Sequence, residues 1–577
     1  MGPKRSLAAL HQEPAISGGT GRDPVVAAAA RPARSRASGW AEALILLTIL
    51  AAAGWLRWTH VQEVSLHVDE YITLRAAQQI LDRGLPLLPT GSFYSHGLLL
   101  TYAEAGIMAL VGFDPVAARL LVLLVSLLGV LLTWWVGGRW FSPSVGLLSA
   151  ALLAFTPAAV IWGGRARMYA PLQFFVLLAI FFYWRGLSRG GSLRDSALFA
   201  LSFLAALFLH AETMILLPAF VLIAAGASWT EVRRNGVGAV LRRWWRTGLI
   251  AAWFVTGLGV LTELWFRLLG PPMVSRLSEG VYGPSTQGYV QTSLDWAGIQ
   301  KTLKPVLTSP VILGLTGCLL AGLAYWLFRR QRNGAPICPA GWKRPLVYLV
   351  AILALTLPVL LFVADPSWKS PRYLFMLLPP IYLALSACFF AVARQFKFGR
   401  QREWFVLGVA LVCVVGGSWV AAWAAAREDV AGYDHAFEYL ASQWQPNDAI
   451  MTFVPQAAVL HQGAIDYLSV PTDYRGFAVE QDGRWLEGWD TIPMVDSATG
   501  VSQALAAQER LWFVVDEHRF NSRFPPGFTQ AVWDGMDLVW RDYRMMVFRT
   551  ADTSAPVDVQ PRRALFSDQI WLAGFAL

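Results

Sequence analysis

Two adjacent carboxylates, Asp69 and Glu70, lie in the stretch SLHVDEYITLR (65–75), with His67 and Tyr71 close by. An ionised carboxylate in such a place suits two tasks: taking a proton from an attacking hydroxyl, or holding a divalent metal ion. From 71 to 81 the apolar spacing of YITLRAAQQIL predicts a helix lying on a membrane surface, with the acidic pair at its N terminus. The helix dipole favours negative charge there, so the pair equally fits a plain helix cap.

Basic residues form two further clusters. Arg165 and Arg167 stand with Tyr169 in GGRARMYAPL, and Lys369 and Arg372 with Tyr373 in WKSPRYLFMLLPP. A guanidinium fork matches phosphate with paired, charge-assisted hydrogen bonds. General anchoring to lipid headgroups accounts for these residues as well. His210 and Glu212 sit between two short apolar runs, where a hairpin turn or the wall of a vestibule explains them. His96 and Glu104 add polar chemistry after the acidic pair. The stretch 269–307 is rich in Gly, Ser and Tyr. Its Tyr282, Tyr289 and Trp296 suit stacking on a sugar beneath a mobile lid, or belong to a flexible connector.

The elements that must position these groups are set by composition. Of 577 residues, 55% are hydrophobic and only 15% charged, so apolar runs of about 20 residues can repeatedly cross about 30 Å of hydrocarbon. A polytopic α-helical membrane protein follows. The net charge of +9 does not point to nucleic acid, because the basic residues punctuate apolar runs instead of forming a face. Candidate spans fall at 40–58, 117–137, 143–162, 169–184, 195–209, 211–228, 247–268, 308–327, 345–363, 372–392 and 404–424, eleven in all. If each crosses once, the segments WRGLSRGGSLRD, EVRRNGVGAVLRRWWR, FRRQRNGAPICPAGWKR and RQFKFGRQR share one side, which the positive-inside rule makes cytoplasmic. Residues 59–116, 269–307 and everything beyond 426 are then outside.

Three regions result. Residues 1–38 read as a disordered cytoplasmic tail, 39–426 as the transmembrane part with outer loops 59–116 and 269–307, and 427–577 as an extracytoplasmic soluble domain. In that last region DAIMTFV, LWFVVDE and YRMMVFRT read as strands, AFEYLASQW and VSQALAAQER as helices, giving a small α/β fold. The region has no cysteine, so disulfides do not hold it, and no glycine-rich nucleotide loop.

The ordered series LHVDEYITLRAAQQIL (66–81), the stretch from FYSHGLLL to LLAFTP (93–157), GRARMYAPLQFFVLLAIFFY (164–183) and SPRYLFMLLPPIYLAL (370–385) resembles the GT-C superfamily of membrane glycosyltransferases. The bacterial branch related to protein O-mannosyltransferases and the lipid A aminoarabinose transferase is the nearest in pattern, over about 370 residues (55–426). The resemblance implies a GT-C-like fold and a prokaryotic cytoplasmic membrane. It implies a polyprenyl-phosphate-sugar donor and a lipid, glycan or protein hydroxyl as acceptor. It maps the catalytic or metal-contacting carboxylate onto Asp69 with Glu70 beside it, and further family positions onto Arg119 and the pair Arg372–Tyr373. The chain departs from the family at His96, where SHGL stands in place of a frequent HPP.

The chemistry fits these residues. A phosphate leaving group needs its charge neutralised more than it needs a proton, so one carboxylate base with Arg or Lys suffices. A glycosidase, by contrast, needs a second acid. The expected reaction is sugar transfer with inversion, with Asp69 as base and Arg165, Arg167, Lys369 and Arg372 on the donor phosphate. A flippase for a lipid-linked precursor and a non-catalytic membrane scaffold are the competing classes. The flippase would favour polar residues within the spans, which are few.

Overall fold

The computed structural model describes residues 36–87, 93–94, 96–188, 191–268, 295–307, 309–317, 320, 339–364, 370–394, 400–428, 430–470, 478–481, 484–487, 491–542 and 544–551. Helices dominate up to Ala426, and a mixed sheet follows. The described residues from 46 to 551 form one compact unit, so the helices and the sheet share it.

Among the described residues seven helices are long and apolar enough to cross a membrane. They are Gly39–Glu63 within α1 (Arg36–Glu63), α4 (Pro115–Trp140), α7 (Tyr169–Leu187), Ala211–Asn235, Gly341–Val363, Pro371–Ala393 and Glu403–Ala426. Two bent pairs raise the number to nine: α5 (Pro143–Phe155) with α6 (Pro157–Gly164), bent by 67°, and the helix Val237–Arg246 with the one after it, bent by 78°. The expected eleven is therefore not reached among the described residues. Helix α8 (Leu193–Leu209) has 17 residues, about 26 Å of rise and so short of the hydrocarbon thickness. The expected span at 308–327 lies largely outside the described residues.

The single span expected over 143–162 is two helices. Pro157 brings no backbone N–H and its ring excludes the preceding turn, so α5 stops and α6 restarts from Thr156. The released Thr156 hydroxyl donates to Leu152 O at 2.6 Å and meets Tyr382 Oη at 2.7 Å. The end of α6 fits tightly against α1 and α4. A Cβ at Gly163 would lie 2.4 Å from Ser126 Oγ, and one at Gly164 would lie 2.6 Å from His60 Cδ2, so only glycine permits this approach. Arg57 of α1 is fully buried and joins three helices, donating from Nε to Ser126 Oγ at 2.8 Å and from Nη1 to Ala154 O at 3.2 Å.

The first and last long helices also meet. Trp55 stacks on Trp423 at 4.9 Å and on Trp419 at 5.8 Å, and His60 Nδ1 donates to Ala425 O at 2.9 Å. The chain then enters the sheet domain beside the end of α1.

The six-stranded sheet runs β5-β2-β1-β6-β8-β7. Strands β1 (Ala449–Thr452), β2 (Tyr467–Ser469), β5 (Met494–Val495) and β6 (Leu511–Asp516) are parallel; β7 (Met536–Asp542) and β8 (Met545–Thr550) add antiparallel strands at one edge. Strands β3 (Ala478–Gln481) and β4 (Arg484–Glu487) pair separately. The three expected strands are β1, β6 and β8, and both expected helices form, at Tyr433–Gln443 and Ala498–Ala507. All of β6 is buried, since Trp512 and Val514 enter one core while Leu511, Phe513 and Val515 enter another. Burial on both faces explains its unbroken apolar run.

Helix α2 (Val68–Arg83) corrects one expectation. It does not rest its apolar face on lipid: Tyr71, Leu74, Ala77 and Ile80 share one core with Tyr433, Phe437, Trp512 and Val514. Tyr71 Oη lies 3.3 Å from Nε2 of His461, whose ring stacks on Phe437. The sheet domain supplies the apolar cover that the amphipathic pattern requires.

Candidate active site

Helix α2 starts at His67, whose backbone is extended. The Asp69 N–H donates to His67 Nδ1 at 3.2 Å, and the His67 N–H donates to Glu70 Oε2 at 2.8 Å, so two orphan donors of the first turn are satisfied. This bonding requires an unprotonated Nδ1. Burial and the neighbouring Arg165 hold the His67 pKa below its ordinary value.

Glu70 is closed off. It is fully buried and receives both arms of Arg119, Nε to Oε1 and Nη2 to Oε2, each at 2.8 Å. The Ala166 N–H adds a bond of 2.7 Å to Oε1. Arg119 spends its other donors on the carbonyls of Val61, Val64 and Ser65. Burial alone would raise the Glu70 pKa, but the Arg119 charge and hydrogen bonds outweigh it and pull the value down to about 2. Four donors leave this carboxylate no lone pair directed at a substrate.

Asp69 is open. Its side chain is 28% exposed, and Oδ2 lies 3.7 Å from Arg167 Nη2, 3.7 Å from Arg372 Nη1 and 4.0 Å from His67 Nδ1. These are ionic contacts too long for hydrogen bonds. Burial raises its pKa, yet Arg167, His67 and Arg372 together hold it below the ordinary value, so it is ionised at neutral pH.

Arg167 is fixed from below. Its Nη1 donates to Asp69 O at 2.9 Å, Thr73 Oγ1 at 2.6 Å and Tyr94 Oη at 3.3 Å, which leaves Nη2 toward the Asp69 carboxylate. Arg372 approaches from the helix Pro371–Ala393, its guanidinium 4.9 Å from the Tyr373 ring centroid and its side chain 35% exposed. An aromatic wall continues from it: His210 lies 5.4 Å from Tyr373 and 6.2 Å from Tyr169, and Tyr169 lies 6.4 Å from Tyr373. Glu212 belongs to this wall, with Oε2 3.8 Å from His210 Nδ1. It is fully buried, and among the described residues neither carboxyl oxygen has a hydrogen-bond partner.

The structure therefore brings together His67, Asp69, Arg167, Tyr169, His210, Glu212, Arg372 and Tyr373 around one open carboxylate. Glu70 and Arg119 form a closed pair beside them, and Tyr71 faces the sheet domain. Arg165 is buried in an ion pair with Glu428 and lies 5.1 Å from the Trp162 ring. Glu104 is buried on α3 (Leu98–Val111) with neither oxygen hydrogen-bonded among the described residues, and burial followed by the Glu70 charge pushes its pKa up to about 9. His96 is exposed, its ring 5.9 Å from that of Tyr94. Lys369, Tyr282 and Tyr289 lie outside the described residues. Thr73 and Tyr94 hold Arg167. Tyr94 counts among the polar residues of the outer loop 59–116, with no role assigned to it by the sequence; Thr73 is not singled out there, although it stands one helical turn after Asp69.

The donor set at Asp69 does not fit a divalent cation. Two guanidinium groups are its near neighbours, and among the described residues no group of three His, Cys, Asp or Glu side chains is placed to hold a metal. What the geometry offers is an anionic acceptor for a proton beside two cationic forks suited to phosphate.

Comparison with known proteins agrees with this architecture. Residues 95–241 match the family described as dolichyl-phosphate-mannose-protein mannosyltransferase. The structure is similar to ArnT from Cupriavidus metallidurans bound to undecaprenyl phosphate, with a TM-score of 0.61 and 14% identity over 90% of this chain and 99% of that one. The apo state of the same ArnT gives 0.57 and 13% identity over 89% and 98%. The oligosaccharyltransferase of Archaeoglobus fulgidus in its apo form gives 0.50 and 12% identity over 91% and 76%. No curated protein matches the chain by sequence. At these identities the likeness to the solved structures shows a shared fold: the chain has the fold of ArnT and of the Archaeoglobus fulgidus oligosaccharyltransferase.

Proposed function

We propose that the protein transfers a sugar from a polyprenyl-phosphate donor to a hydroxyl acceptor at the outer face of a prokaryotic cytoplasmic membrane. Residues 39–426 form the transmembrane part, with the N terminus inside, and 427–577 an extracytoplasmic domain. The observation that carries this reading is the open Asp69 carboxylate, 3.7 Å from both Arg167 and Arg372. The undecaprenyl phosphate bound by the similar ArnT structure supports a lipid phosphate at these arginines.

In the reaction the acceptor oxygen bonds to the anomeric carbon while the bond from that carbon to the phosphate oxygen breaks. The hydroxyl proton passes to Asp69, and the polyprenyl phosphate leaves as a dianion stabilised by Arg167 and Arg372. Attack opposite the leaving group inverts the sugar. A carboxylate beside two guanidinium groups is a weak base. Once a donor phosphate shares their charge, the Asp69 pKa rises and the carboxylate gains basicity when it is needed.

The test is transfer of a labelled sugar from an undecaprenyl-phosphate donor in proteoliposomes, comparing the wild type with Asp69→Asn. Transfer at the wild-type rate by the variant would sink Asp69 as base. Movement of the donor across the bilayer without transfer would favour a flippase.

A further inference from the structure

We infer that Glu428 is a positioning residue for donor phosphate, and that through it the sheet domain sets the geometry of the site. This rests on the reading of Arg167 as a phosphate ligand. The turn Arg165–Ala166–Arg167 is tied to a different partner at each residue. Arg165 forms a buried ion pair with Glu428, which stands between the last long helix and the sheet domain. The Ala166 N–H donates to Glu70 of α2 at 2.7 Å. Arg167 reaches Asp69 O, Thr73 and Tyr94.

The turn transmits position because it is tight. The Arg167 N–H donates to Arg165 O at 2.7 Å, closing a three-residue loop with little freedom to absorb a shift of Arg165. Helix α6 gives no slack on the other side, since Gly163 and Gly164 are pressed against Ser126 and His60. A displacement of Glu428 therefore moves Arg165, and with it the Arg167 fork beside Asp69. The side chain of Arg165 is 2% exposed and that of Glu428 10%, so water cannot readily replace either partner.

The preceding residue of the same linker supplies an internal control. Arg427 pairs with Glu63, but there the side chains are 52% and 43% exposed and no site residue is attached. Exposed pairs of this kind contribute little.

The experiment measures binding of undecaprenyl phosphate to the purified full-length protein in detergent, with thermal unfolding recorded in parallel. Glu428→Gln keeps the shape and removes the charge. It is expected to weaken undecaprenyl phosphate binding about tenfold, the loss of one charge-assisted contact's worth of alignment, and to raise the donor KM with little change in kcat. Glu63→Gln is expected to leave both unchanged. Glu428→Asp, which restores the charge, is expected to recover part of the binding. Wild-type binding by Glu428→Gln would overturn the inference, as would a loss that follows the unfolding temperature and is not relieved by Glu428→Asp. If the wild type itself does not bind undecaprenyl phosphate, the reading of the site falls and this inference with it.

Discussion

The two halves of the acidic pair sit in opposite surroundings. At the Glu70 corner every lone pair is used: two bonds from Arg119, one from Ala166 and one from His67 close a buried, fully satisfied network. At the Asp69 corner the charges are similar but the distances are not, and two guanidinium groups stop 3.7 Å away. A network that is complete builds structure; one that is left incomplete, next to accessible space, has capacity for a ligand. Neighbouring residues of the same chemistry are thus divided between a closed, buried pair and a carboxylate left open to a ligand.

The sharpest break of this comparison is Asp69→Asn. Transfer should fall about 10³-fold, the usual contribution of a general base, while thermal unfolding stays within a few degrees of wild type. Glu70→Ala should do the reverse. It strands the buried Arg119 charge and should cost about 3 kcal/mol or more of stability, read by denaturant unfolding, whatever remains of activity.

The same contrast has a pH signature. The folded value of Glu70, about 2, lies below its ordinary 4.5, so its stabilisation is complete above about pH 4.5 and is lost as the pH falls through 2. The window is worth about 3 kcal/mol and should disappear from the acid unfolding curve of a Glu70→Gln variant.

Arg372→Lys tests the open corner more gently. A point charge replaces a planar fork, and undecaprenyl phosphate should bind about tenfold more weakly while the fold is kept. Smallest of all, Glu104→Gln should change stability at pH 7 by less than about 1 kcal/mol. Glu104 titrates near pH 9 and is already neutral there, so the variant exchanges one uncharged group for another. A large loss would show that this third carboxyl is ionised after all.

Much of this was legible in the chain. The DE pair, the two arginine clusters and the strand and helix segments after residue 427 could be found because each is a local pattern: composition, spacing, or an apolar run. What could not be read was who pairs with whom. Glu70 meets Arg119 49 residues later, and Arg165 meets Glu428 after 263. Sequence shows such residues as free charges, so Arg165 and Arg167 looked alike, although one is committed to an ion pair and the other reaches Asp69. The surface-lying reading of α2 failed for a related reason. Its apolar face was recognised, but periodicity does not say whether lipid or protein will cover it. The break at Pro157 was visible as a residue, though not as a bend of 67°.

The meeting of the first and last long helices bears on the order in which the molecule can assemble. His60 and Ala425 are 365 residues apart, the Trp55–Trp423 stack spans a comparable length, and the Arg165–Glu428 pair spans 263 residues. During synthesis, α1 and the turn at Arg165 must wait in the bilayer until nearly three quarters of the protein has been made. Contacts of such sequence separation form late and slowly. Arg165 consequently meets its ion-pair partner Glu428 only after the last helix has been made, so a partly made chain carries the turn beside Asp69 without this anchor.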